Sequence, residues 1–195
     1  NVSVDGGTIK LDGNYPTGTN NVAIGNTAMD SNDGSANYNV AVGSEALTAL
    51  TSGDSNVAVG GNASASLTSA ARTVSVGNLA LDANTTGVDN TAVGFNALTS
   101  NTTANNNTGL GHNALAANTT GAYNTAVGSN SLDASTTGTE NVAVGYNVLT
   151  SVTDSTANTG VGHNSGASLT TGDSNTFLGH QSGDATTTAS NNTGV

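Results

Sequence analysis

The chain has 195 residues, only 34% of them hydrophobic and 3% aromatic, with no Trp, which excludes an ordinary globule; charged residues at 8% exclude a highly charged disordered chain. Its net charge of −11, thirteen acids against Lys10 and Arg72, excludes a phosphate-binding surface for nucleic acid and electrostatic docking on anionic membranes. There is no Cys for a disulfide framework or a thiolate metal site, and no apolar run of about 18 residues to insert in a membrane.

Residues 1–20 read as an atypical lead-in. Thr8-Ile9-Lys10-Leu11 alternates like a short strand, and the turn-forming run from Asp12 to Gly18 holds the single Pro, Pro16. This segment is expected to deliver the chain into the first repeat and to cap it. The chain opens at Asn1 without Met and stops inside a repeat, which reads as a segment of a longer protein.

From Asn21 to Val195 a single unit recurs. Copies begin at 21, 39, 56, 73, 90, 107, 124, 141, 158, 175 and 192, so the first step is 18 residues and every later one 17. The extra residue is placed in the first loop, between Asp30 and Tyr38. A period this strict predicts one small unit stacked many times. The expected fold is all-β, a parallel β-roll or β-solenoid of about ten 17-residue coils.

Positions 1 to 5 of the unit, such as Asn90-Thr91-Ala92-Val93-Gly94, predict a strand and a turn. Position 2 is Val or Thr and position 4 is Val, Ile or Leu, which predicts an inward β-branched face. Position 3 is nearly always small and is expected to face a neighbouring chain, with Phe177 the one place to look for a break in packing. Asn at position 1, replaced only by Thr73, predicts an amide ladder along the stack. Position 5 is Gly in every copy that reaches it: Gly25, Gly43, Gly60, Gly77, Gly94, Gly111, Gly128, Gly145, Gly162 and Gly179. That constancy predicts a turn with positive φ. Positions 8 and 9, typically Ala-Leu, predict a second short strand whose Leu fills the coil. Positions 10 to 17 predict an outer loop. So thin a core predicts obligate oligomerisation, with positions 3 and 8 nearest the partner.

Runs such as Asn21-Val22-Ala23-Ile24-Gly25 and Asn141-Val142-Ala143-Val144-Gly145 resemble the YadA-like head repeats of trimeric autotransporter adhesins. The family's repeat is usually shorter; the longer Ala-Leu…Asn-Thr-Thr-Gly form is similar to head-type repeats in bacteriophage tail fibres. The resemblance covers residues 21–195. It implies a left-handed roll in an intertwined homotrimer, outside the cell, on a virion tail fibre or on a bacterial surface. It also implies attachment to a host glycan or protein receptor.

Position 6 collects the rings: Phe95, His112, Tyr146, His163 and His180. They form a candidate binding column that could stack on sugars; the plainer reading is rings stacking on one another from coil to coil. No carboxylate or Cys shares the position, so no metal site is expected. Asp30, Asp82, Asp133 and Asp184 recur at position 10 every third coil, roughly 14 Å apart at the usual strand spacing, too far for a shared ion. The Asn-Thr-Thr sequons at Asn84, Asn101 and Asn118 are by-products of the repeat. No catalytic set and no cofactor site stand out, so the chain reads as a non-enzyme. A third class, an ice-binding solenoid, ranks lower, because the Thr of position 2 is placed on the inner face and the Thr-Thr pair lies in a Gly-flanked loop.

Overall fold

The computed structural model describes residues 18–195. The strand expected at Thr8–Leu11 and most of the turn after it lie outside the described residues. Eleven short strands follow: β1 (Val22–Ile24), β2 (Val40–Val42), β3 (Val57–Val59), β4 (Val74–Val76), β5 (Thr91–Val93), β6 (Thr108–Leu110), β7 (Thr125–Val127), β8 (Val142–Val144), β9 (Thr159–Val161), β10 (Thr176–Leu178) and β11 (Thr193–Gly194). They form one parallel sheet in sequence order. Each strand pairs with the next at identical repeat positions, from Val22 on Val40 to Thr176 on Thr193. The first copy's extra residue does not disturb this register, because it is absorbed before β2. The fold is therefore a parallel β-solenoid of about ten coils, without helix among the described residues.

The parity of the strand is the reverse of the one predicted. Position 3 is buried: Ala41, Ala58, Ala92, Ala126 and Ala143 are fully enclosed in their own coil. Positions 2 and 4 point outward and stay half-exposed, for example Val22 at 45%, Ile24 at 42% and Leu110 at 44%. Position 8 is also buried within the coil, as at Ala97 and Ala114. A neighbouring chain therefore cannot pack on positions 3 or 8. The physical reason is volume. Leu at position 9 occupies the space behind the strand, as Leu98 does behind Gly109, so only a methyl or a hydrogen fits opposite it.

No second strand forms at positions 8 and 9; positions 6 to 11 are turns. These turns are still tied coil to coil. Leu98 N donates to Ala114 O at 3.0 Å, Ser100 N to Ala116 O at 3.2 Å, and Asn96 N to Asn78 O at 3.2 Å. The alternation depends on left-handed residues at positions 7, 9 and 17, such as Asn96 (φ 56°), Leu98 (φ 52°) and Asn106 (φ 59°). Such a conformation costs a β-carbon residue about 1–2 kcal/mol. For the Leu, complete burial offsets that cost.

Position 5 takes Gly for two reasons. Its φ is +136° at Gly94, and a Cβ there would lie 2.6 Å from the carbonyl carbon of Gly111 in the next coil. The loop of positions 10 to 17 is not wholly outer. Position 12 is inward, as Leu50, Leu67, Asn84, Asn101, Asn118, Val152 and Leu169 show, and so is position 15.

Two polar ladders line the interior. At position 1 the Asn closes its own coil and caps the next one. Asn107 Nδ2 donates to Gly121 O at 2.8 Å, and Asn107 Oδ1 accepts from Asn124 N at 2.9 Å. Direct amide-to-amide bonds, the predicted pattern, accompany this in several coils, as from Asn141 Nδ2 to Asn124 Oδ1 at 3.2 Å. At position 12, Asn101 Nδ2 donates to Asn84 Oδ1 (3.1 Å) and Asn118 Nδ2 to Asn101 Oδ1 (2.9 Å). A third ladder runs along position 13, where Thr hydroxyls donate to the next Thr carbonyl, as from Thr102 to Thr119 at 3.1 Å, except that Thr153 donates to Asp154 Oδ1 at 3.2 Å.

Candidate functional site

Position 6 follows the Gly turn, so its side chains leave the coil at the edge of the sheet face, one rung above another. The five predicted rings are brought together in two stacks. Phe95 lies on His112 with centroids 5.6 Å apart and planes 10° off parallel. Tyr146 lies on His163 at 5.4 Å and 20°, and His163 on His180 at 5.2 Å and 14°. This is the coil-to-coil stacking that the plainer reading expects. Phe95 and Tyr146 remain 46% and 48% exposed, so the stacks stand out from the surface. Between them, at the same position, sits the half-buried Ser129.

Beside the rings, position 7 carries a hydrogen-bonded Asn row. Asn113 Nδ2 donates to Asn130 Oδ1 at 3.4 Å, and Asn130 Nδ2 to Asn147 Oδ1 at 3.3 Å. This row fixes the backbone next to the rings, which the sequence reading did not single out. Its signal was the run of Asn at 96, 113, 130, 147 and 164.

The Asp column at position 10 forms no shared site. Asp133 accepts a short hydrogen bond from the Thr150 hydroxyl in the next coil. Partial burial, and then the charge of Glu45, raise the Asp82 carboxyl above its usual range. On the loop face Arg72 Nε and Nη2 hold Asp89 at 2.6 and 2.9 Å, a hydrogen-bonded ion pair that lowers the Asp89 carboxyl. Among the described residues no three His, Asp or Glu side chains converge as metal ligands would. The sequon residues Asn84, Asn101 and Asn118 are fully buried in the position 12 ladder, out of reach of a glycosyl donor in the folded chain.

A second surface feature is the sheet face itself. Position 2 presents Val or Thr and position 4 presents Val, Ile or Leu on all eleven rungs, with Val59, Val144 and Leu178 among the exposed residues. At the usual rung spacing this is a strip roughly 50 Å long and about 10 Å wide. No charged side chain lies on it. Comparison of the chain with protein-family models, with curated proteins and with solved structures found no match.

Proposed function

We propose that this chain is a structural and adhesive segment of a trimeric fibre, a bacteriophage tail fibre in the first instance, which projects or presents a host-binding tip outside the cell. The observation that carries the reading is the charge-free outward strip of positions 2 and 4. Apolar patches of several hundred Å² on a protein surface mark places where another chain packs. β-Branched residues on a pleated surface make a flat, stiff contact that a second copy can match rung for rung. The strip replaces positions 3 and 8 as the seam between chains. Threefold symmetry and a left-handed roll belong to this proposal and rest on the resemblance of the repeats. The head of a bacterial trimeric adhesin would use the same geometry; the flanking gene sequence separates the two, through a membrane-anchor barrel or a chaperone domain.

The test is the mass in solution. Sedimentation equilibrium should give three times the 18.8 kDa chain mass. Val93→Asp with Val127→Asp, both on the strip, should dissociate the assembly, and Thr120→Asp on the loop face should not. A folded wild-type monomer would refute the proposal.

One observation favours a second reading. Thr91, Thr108, Thr125, Thr159, Thr176 and Thr193 lie on the outward sheet face, not inside, so the first of the two grounds for ranking an ice-binding solenoid lower falls. The companion column at position 4 is wholly aliphatic, which suits protein packing better. Thermal hysteresis of the purified chain would decide for ice.

A further inference from the structure

Two ring stacks separated by a single missing rung leave a slot. His112 ends one stack and Tyr146 begins the other, and Ser129 is the floor between them. The facing rings stand two rungs apart, roughly 10 Å. Each adjacent ring pair in the stacks spans 5.2 to 5.6 Å, so the slot has room for one more ring and no more. The Ser129 hydroxyl makes no hydrogen bond to the rest of the described residues, so it stays available to an occupant.

We infer that the slot between His112 and Tyr146 binds one pyranose ring of a glycan, sandwiched between the two side-chain rings over Ser129. The chemistry of the rim selects the occupant. The width admits one ring, since each stacked neighbour in the column already takes 5.2 to 5.6 Å. A chair-form sugar has C–H bonds on both faces for the two side-chain rings, and hydroxyls at its edge for the Ser129 hydroxyl and the Asn row. Its C–H groups carry slight positive charge and meet the negative faces of the rings, while its hydroxyls stay at the rim. The Asn113–Asn130–Asn147 row beside the floor supplies a fixed polar edge. The other rungs offer no such place, because the faces inside each stack are already covered. The inference deepens the adhesive part of the fibre reading and rests on it for a biological role.

Saturation-transfer NMR on the full chain, with methyl β-galactopyranoside and methyl β-glucopyranoside as probes, tests it. Transfer to the ring C–H protons is expected. Ser129→Phe should fill the slot, join the stacks into one ladder and abolish transfer without changing the oligomer mass. His112→Ala and Tyr146→Ala should each weaken binding at least 10-fold, whereas Phe95→Ala, which removes only the outer ring of its stack, should leave it within about 2-fold. No transfer with either sugar, or transfer that survives Ser129→Phe, overturns the inference. Transfer to phenol or indole in preference to both sugars overturns the choice of occupant. The mass of the same samples reports separately on the fibre reading: an assembled chain that binds no sugar fails only the slot, and a monomer that binds sugar fails only the assembly.

Discussion

The ring of Phe177 lies over Gly183, in the space that the position 9 Leu fills in other coils. A Cβ on Gly183 would run into the ring, and one on Gly166, at the same position a coil earlier, would sit 2.8 Å from it. The backbone is not what demands glycine there. Gly183 has φ +70° and Gly166 φ +60°, close to the +51° to +56° of Leu81, Leu98 and Leu132 at the same position. The bulk has moved from position 9 to position 3, and the register of β9, β10 and β11 is unbroken across it. Phe177→Ala alone should leave a cavity and cost about 3–5 kcal/mol. Gly183→Leu alone should also destabilise, through overpacking. The double variant puts Leu at position 9 and Ala at position 3 of one coil, the residues usual at both positions, so it should be more stable than Phe177→Ala. A urea-unfolding double-mutant cycle should give a favourable coupling of about 1–3 kcal/mol; additive effects would show that the two sites do not share the space.

Position 9 also meets position 3 of the next coil, as Gly166 meets Phe177, and this contact explains a polar seam. Ser64 Oγ donates to Ser75 Oγ at 2.9 Å, both fully buried, and Ser75 Oγ donates to Val57 O at 3.3 Å. The apolar core is in two clusters, one ending at Ala70 and the other starting at Ala80, and the pair sits where they part. Ser75→Ala should strand the Ser64 hydroxyl and cost about 1–3 kcal/mol. Ser64→Leu with Ser75→Ala should recover at least that loss and fuse the clusters. Thermal unfolding followed by circular dichroism would check it, and a double variant no more stable than Ser75→Ala would contradict the pairing.

The period and the parallel register were legible in the repeat because each coil must meet the next at the same residue. The turn at position 5 was legible too, since ten copies keep Gly. Which face of the strand is inside was not. Ranking side chains by size sends the larger ones in, the usual outcome in a globule. In a coil this narrow, the position 9 Leu takes the space behind the strand, so Val42, Val93 and Val144 go out and Ala41, Ala92 and Ala143 go in. Size at position 3 carried the answer: Gly109 faces Leu98, and Gly160 faces Val148 and Leu149, where a Cβ would press on those side chains. The ring column was visible as a composition of position 6. Its division into two stacks was visible as well, in Ser129, but its meaning depends on a rung spacing that only the fold supplies.

Asp82 provides a pH test with a definite sign. Partial burial, then Glu45, raise its folded pKa above the unfolded value. The folded chain therefore holds the proton more tightly. The ionised form costs stability above the folded pKa, and that cost fades as pH falls through it. Asp82→Asn should raise the melting temperature at pH 7, and the gain should vanish below about pH 3.5, where both states are protonated. Asp89 has the opposite sign, because Arg72 lowers its pKa. Asp89→Asn should give no gain at pH 7, and any loss should disappear on acidification. A gain from Asp82→Asn that persists unchanged in acid would contradict the assignment.

Thr73 is the one break in the position 1 ladder, and it can be repaired. Its N and Oγ1 both donate to Asn56 Oδ1, at 3.0 and 2.8 Å, so the bond to the preceding coil survives. What is missing lies on the other side. Thr73 has no amide to bond the Gly87 carbonyl, which accepts from Asn84 Nδ2 at 2.9 Å, whereas Ala104 O accepts from both Asn90 and Asn101. No side chain accepts from the buried N–H of Asn90, although the corresponding N–H of Asn107 donates to Asn90 Oδ1 at 2.9 Å. Thr73→Asn would give Asn90 N an acceptor and Gly87 O a second donor, and its Nδ2 could still reach Asn56 Oδ1, as Asn56 Nδ2 reaches Asn39 Oδ1 at 3.0 Å. The expected gain is about 1–2 kcal/mol, the range for satisfying one buried backbone group. Hydrogen exchange at the Asn90 amide should slow in step, because that proton becomes bonded. A stabilised variant with unchanged exchange at Asn90 would mean that the gain came from elsewhere in the coil, and an unstable one would mean that Thr73 fills a space too small for an amide.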